Sequence, residues 1–141
     1  MADTVTIQKG VASFYAERFH LRRTANGEIF HMDSLTAAHK YLPFDTWVKV
    51  SRTDTGDSVW VRINDRLPKN SKRIIDLSKA AAKQMNMMEV GITKVRLEVR
   101  NMSEMNRLYE YFQDRPKGGL RLRYFDRPIL FERNNLIIQK R

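Results

Sequence analysis

Apolar and polar positions alternate with a period of two through Val59-Trp60-Val61-Arg62-Ile63, which predicts a strand with Val59, Val61 and Ile63 on one face. Asn64-Asp65-Arg66 falls where that strand ends. Leu67 to Lys72 has no apolar period and carries a proline, which predicts a surface loop before a short buried strand at Arg73-Ile74-Ile75. A helix follows, opened by Asp76-Leu77-Ser78, with Leu77, Ala80, Ala81, Gln84, Met85 and Met88 spaced along one face. Either Asp76 or Ser78 can accept a hydrogen bond from its first turn. Thr93 to Val99 alternates again and points Val95, Leu97 and Val99 inward.

The same reading places strands at Val5-Thr6-Ile7 and Val11 to Ala16, separated at Gly10, with Ser13 and Tyr15 on one face of the second. Leu35 to His39 is a short apolar segment, Trp47 to Val50 starts a strand, and Asp54-Thr55-Gly56-Asp57 is a hairpin turn. Glu17 to Asp33 has no period but holds aromatics, His20, His31 and Glu28, the composition of a functional loop. Many short strands, one helix and long loops predict a mainly β fold, a small barrel over residues 1–102. The pattern then changes. Ser103 is placed to cap a helix running to Arg115 with Met105, Leu108, Tyr109 and Phe112 on one face, followed by short strands around Leu120, Ile129 and Leu136, so residues 103–141 are expected to form a C-terminal extension.

The net charge of +10 changes this picture only by favouring anionic partners: nucleic acid, an acidic wall polymer or a membrane surface. The charge divides as +6 before Glu104 and +4 from it onward, so it does not mark a basic tail. No cysteine is present, which excludes a disulfide framework and any thiolate site. No run approaches the length of a membrane span, and Met1 to Thr4 is not a signal peptide, so an exported protein is expected to have lost its targeting segment. His20 and His31 lack a clear third partner, and no metal or other cofactor is expected. A nucleic-acid binder has only charge in its favour, because no basic motif interleaved with aromatics and no reading helix is visible.

The segments running from Gly10 to Val50, VWVRINDRLP and RIIDLSKAAAKQMNM together resemble the double-psi β-barrel domain of the rare lipoprotein A (RlpA) family of lytic transglycosylases, over Gly10 to about Val99. The resemblance implies a six-stranded barrel in the cell envelope, periplasmic or associated with the outer membrane, whose partner is peptidoglycan and which cuts its glycan strands, preferably free of stem peptides. It implies Asp65 as catalytic acid, Glu28 as a second carboxylate, His39 as a third groove residue, and Asp76 at the position of an expansin groove aspartate. Ser13, Tyr15, Thr24, Asn26, Phe44, Asn64 and Arg66 are the expected substrate contacts. A lytic transglycosylase reuses its acid as a base, drawing a proton from the sugar's C6 hydroxyl, which closes on C1 to leave a 1,6-anhydro end. Asp65 is expected to do both, with Glu28 supporting the cationic sugar and His39 orienting a carboxylate or bonding a sugar hydroxyl. The alternative is a catalytically silent, expansin-like module that binds polysaccharide. Leu21, Asp45 and Leu67 replace glycines of the family pattern, so loop shapes there are expected to differ.

Overall fold

The computed structural model describes residues 4–113. Six strands, β1 (Val5–Phe14), β2 (Thr36–His39), β3 (Trp47–Arg52), β4 (Ser58–Asp65), β5 (Ile75–Leu77) and β6 (Thr93–Val99), close into a barrel in the order β1-β5-β2-β4-β3-β6. The β1–β5 and β2–β4 pairs are parallel and the others antiparallel. This is the expected double-psi barrel, and closure leaves no strand edge unpaired. The inward positions read from alternation are core: Val59, Val61, Ile63, Val95, Leu97 and Val99 are all buried, and Val48 and Val50 of β3 join them.

Gly10 does not separate two strands. β1 runs through it, because a Cβ there would stand 2.6 Å from Ile74 Cγ2; the glycine marks a close approach rather than a break. The strand expected at Arg73 to Ile75 lies two residues later, which puts Asp76 inside β5 and leaves the helix cap to Ser78. Helix α1 (Lys79–Gln84) starts there, with the Ser78 hydroxyl accepting from the Ala81 amide at 3.2 Å. It buries Ala81 and Ala82, and Met85 and Met87 beyond it, whereas Gln84 is exposed. Asn86 at φ 54 turns the chain out of helical phase, so Met87 takes the place the period assigned to Met88.

Helix α2 (Met102–Gln113) is capped by Asn101 rather than Ser103: the Asn101 side chain accepts from the Glu104 amide at 3.0 Å. Met105, Leu108 and Phe112 lie in the same hydrophobic core as the barrel strands. The strands expected around Leu120, Ile129 and Leu136 lie outside the described residues.

Candidate functional site

Strand register brings the two aspartates onto one wall. Ser13 on β1 pairs with Asp76 on β5, Asp76 with Ala38 on β2, and Ala38 with Asp65 on β4. Residues opposite one another in a sheet project from the same face, so Ser13, Asp76, Ala38 and Asp65 form one row. At one strand spacing of about 4.8 Å each, the two aspartate backbones stand about 10 Å apart across Ala38. The side chain between them is a single methyl group. Ile75 and Leu77, on either side of Asp76, are buried, so this row faces away from the core.

The two carboxyls are held differently. Asp65 has both oxygens engaged: Oδ2 accepts from the Tyr15 hydroxyl at 2.5 Å, and Oδ1 from the amides of Ala25 at 2.8 Å and Arg66 at 2.9 Å. Asp76 accepts one bond, from the Ser13 hydroxyl to Oδ1 at 2.8 Å. Among the described residues nothing bonds its Oδ2. Burial pushes the Asp76 carboxyl above the usual carboxylate range, and the Asp65 charge adds to this against the Ser13 bond and Arg73. Tyr15 lies two residues past Ser13 and stacks on Phe30 at 4.4 Å, with Phe19 edge-on at 5.9 Å. Burial and then the bond to Asp65 raise its phenol far above its ordinary value, so it stays a donor.

Glu17 to Asp33 is tied down by contacts to α1 and β4. It begins with a single 3-10 turn, Glu17–Phe19, where Glu17 pairs with Lys79 at the start of α1. Arg23 bridges Ile29, and between them Asn26 folds a tight turn. Its side-chain oxygen accepts from the Thr24 hydroxyl at 2.7 Å and the Glu28 amide at 3.0 Å, and Gly27 supplies φ +96. The expected contacts Thr24 and Asn26 thus also shape the turn. That turn docks on the end of β4 through the Ala25 amide to Asp65 and the Asn26 amide to the Asn64 carbonyl at 3.3 Å.

Docking delivers Glu28 to Arg62, which holds it with two bonds of 2.9 Å, and to the Asn64 amide at 3.0 Å. The Arg62 bonds first, then Asn64, lower the Glu28 carboxyl to about 2, so it is anionic at any ordinary pH. Arg62 also bonds Asp45 at 2.9 Å. The sequence reading missed this arginine. The available signal was its place beside Trp60 on the polar face of an alternating strand, three residues before Asp65.

His39 is not presented at the groove surface. Its side chain is 1% exposed; Nδ1 accepts from the Tyr41 and Leu42 amides at 3.0 and 3.1 Å, so Nε2 carries the proton and donates to Gln8 Oε1 at 2.7 Å. Burial lowers its pKa to about 3. It holds the chain reversal after β2. Arg66 lies over the Phe44 ring at 4.1 Å and donates to the His39 carbonyl, so these two expected contacts brace each other beyond Asp65. His20 and His31 meet edge to face at 5.5 Å, and among the described residues no third ligating group joins them.

Of the expected glycine replacements, Leu21 and Asp45 adopt φ 69 and φ 73, a conformation glycine enters more readily, while Leu67 is buried and is not among the positive-φ residues. The turns at Leu21 and Asp45 thus keep a left-handed backbone.

Residues 7–97 match the family described as lytic transglycolase. The chain is 51% identical over 92 residues to the endolytic peptidoglycan transglycosylase RlpA of Vibrio cholerae, covering 65% of this chain and 35% of that protein. It is 53% identical over 90 residues to the protein of the same name from Helicobacter pylori strain J99, covering 64% and 29%. The match thus spans about a third of each relative's length. Among solved structures the barrel superposes on a Streptomyces papain inhibitor with TM-score 0.52 at 23% identity, covering 68% of this chain and 99% of that one. It also superposes on a Clavibacter michiganensis expansin with TM-score 0.53 at 19% identity, covering 68% and 51%. Sequence and fold agree: the chain belongs to the lytic transglycolase family.

Proposed function

We propose that this barrel cuts peptidoglycan glycan strands as a lytic transglycosylase, and that Asp76 and Asp65 divide the work. The observation that carries this reading is the Ser13-Asp76-Ala38-Asp65 row, two carboxyls on one wall with a methyl group between them. A general acid needs a proton to give and an oxygen to give it from. Asp76 has both, since burial favours its neutral form and its Oδ2 has no partner among the described residues. It protonates the glycosidic oxygen; the resulting carboxylate then takes the C6 hydroxyl proton as that oxygen closes on C1 and the bond to the leaving sugar is lost. Asp65, fixed by Tyr15 and two amides, offers a preorganised acceptor to the cationic sugar. Glu28 is anionic and cannot serve as acid; with Arg62 it holds the strand. The reaction exchanges the glycosidic C1–O bond for a C1–O6 bond and moves one proton, with no change of oxidation state, so no cofactor is invoked.

The relatives' names support peptidoglycan as the partner, and a peptidoglycan substrate fits the cell envelope as the location, in the periplasm or at the outer membrane on this reading. On this reading the catalytic unit is the barrel, residues 1–102, and residues 103–141 are an extension to it. A silent binding barrel is the second reading, favoured by the fold likeness to an expansin variant solved in complex with cellohexaose, TM-score 0.52 at 18% identity over 68% of this chain and 51% of that one. Mass spectrometry of fragments released from peptide-free glycan separates the readings. Anhydro ends, one water lighter than hydrolytic ends, are expected. Reducing ends would replace the internal nucleophile with water, and binding with no fragments would leave the silent module.

A further inference from the structure

A cavity of about 580 Å³ opens between α2 and the outer faces of β3 and β4, lined by Phe44, Trp47, Trp60, Arg100, Leu108 and Tyr111 among others. Its volume suits a sugar or two. Arg100 and α2 lie beyond residues 7–97, so two of its walls fall outside the family match. Trp47 is 50% exposed although it is one of the largest apolar side chains available for burial. It stands opposite Arg62 in the β3–β4 pairing, and Arg62 holds Glu28 on one side and Asp45 on the other. Asp45 is itself a lining residue. The cavity and the groove that carries Glu28 therefore share a wall.

Its charges are unequally spent. Asp45 is paired with Arg62 and Glu104 with Arg107, while Arg100 lies over the Trp60 ring at 5.9 Å and forms no ion pair among the described residues. Flat aromatic faces suit the C–H face of a pyranose, and a guanidinium suits a carboxylate through paired hydrogen bonds. We infer that this cavity is a further sugar subsite, which takes a pyranose bearing a carboxylate, with the ring on the tryptophans and the carboxylate on Arg100. The choice of a glycan rests on the function proposed above; the cavity and its unspent arginine do not.

Both tryptophans of the chain, Trp47 and Trp60, line this cavity, so selectively excited tryptophan emission reports on it, and Arg100→Glu separates its signal from that of the adjoining groove. The full chain carrying Asp76→Asn is titrated with peptide-free peptidoglycan fragments, whose lactyl carboxylates are unblocked, with the same fragments amidated, with oligogalacturonides, and with neutral chito-oligosaccharides. A saturable change with either acidic glycan is expected, and the two arms distinguish a lactyl from a ring carboxylate. Amidation and Arg100→Glu should each weaken binding about tenfold or more, the scale of a lost charge-assisted hydrogen bond. Equal response to the neutral or amidated sugars, or an unchanged affinity in Arg100→Glu, overturns the inference. Cleavage by the unsubstituted chain is measured separately. Intact cleavage without any emission response sinks the subsite and spares the function, whereas a response without cleavage does the reverse.

Discussion

Asp76 sits between two core residues, Ile75 and Leu77, yet turns its carboxyl to the groove, and that position fixes both its chemistry and its cost. A carboxyl raised in the folded state contributes stability that is complete at low pH and is lost as pH rises through its folded value. At neutral pH it is therefore a liability that an amide does not share. Asp76→Asn should lower cleavage by at least about 10²-fold, the scale of a lost general acid, while leaving the melting temperature at pH 7 unchanged or raised. Turnover within a few-fold of the parent would return the acid role to Asp65. Leu21 and Asp45 form a second contrast at this scale. Both hold positive φ, but Asp45 gains an ion pair with Arg62 and Leu21 is exposed. Leu21→Gly should stabilise by about 0.5–1 kcal/mol in chemical denaturation, since left-handed backbone costs a side-chain-bearing residue about 1–2 kcal/mol. Asp45→Gly should gain less, and a loss in Leu21→Gly would mean that its side chain matters more than its backbone.

Among the elements, β2 is the short strand on which both the groove and the turn beyond it depend: Ala38 lies between the aspartates, and His39 pins the amides of Tyr41 and Leu42. His39 has its folded pKa lowered from 6.5 to about 3, so its contribution is whole above pH 6.5 and is lost as pH falls toward 3. In the Asp76→Asn chain, which lacks the opposing contribution of the raised Asp76 carboxyl, acid destabilisation should begin near pH 6, before ordinary carboxylates titrate, with a slope of about 1.4 kcal/mol per pH unit for one proton. Denaturant melts at pH 7 and pH 5 check this; equal stability at both would mean that the buried ring accepts a proton without cost. The strand pattern was legible in the sequence because alternation at Val59, Val61 and Ile63 is a local property. The partners of Asp65 were not, since Tyr15 lies 50 residues away and Ala25 40 residues away, and only barrel register brings them together. Asp76 was left open between helix cap and strand end, and His39 was set at the groove, for a related reason. One short polar residue looks alike in a cap or a strand, and a histidine after an apolar run carries no mark of which way it faces.

At the scale of the whole molecule, closure of the barrel joins its first strand to its last. Val5 pairs with Val99, so the first strand of the barrel starts and its last strand ends at adjoining points of one ladder, about 5 Å apart, before α2 returns to the core. A unit with neighbouring entry and exit behaves as a cassette. It can be set into a loop of a host protein without stretching either, and its own order can be rotated by linking the two ends and opening the chain elsewhere. The turn at Asp54 to Asp57 is the natural place to open it, since Thr55 and Gly56 are exposed and lie at the opposite end of β4 from Asp65. A permutant of the full chain that starts at Gly56, with its original ends joined by a flexible linker long enough to leave the segments outside the barrel unconstrained, should fold and keep its cleavage rate within a few-fold. Failure to fold would show that the β3–β4 hairpin must form before the barrel can close.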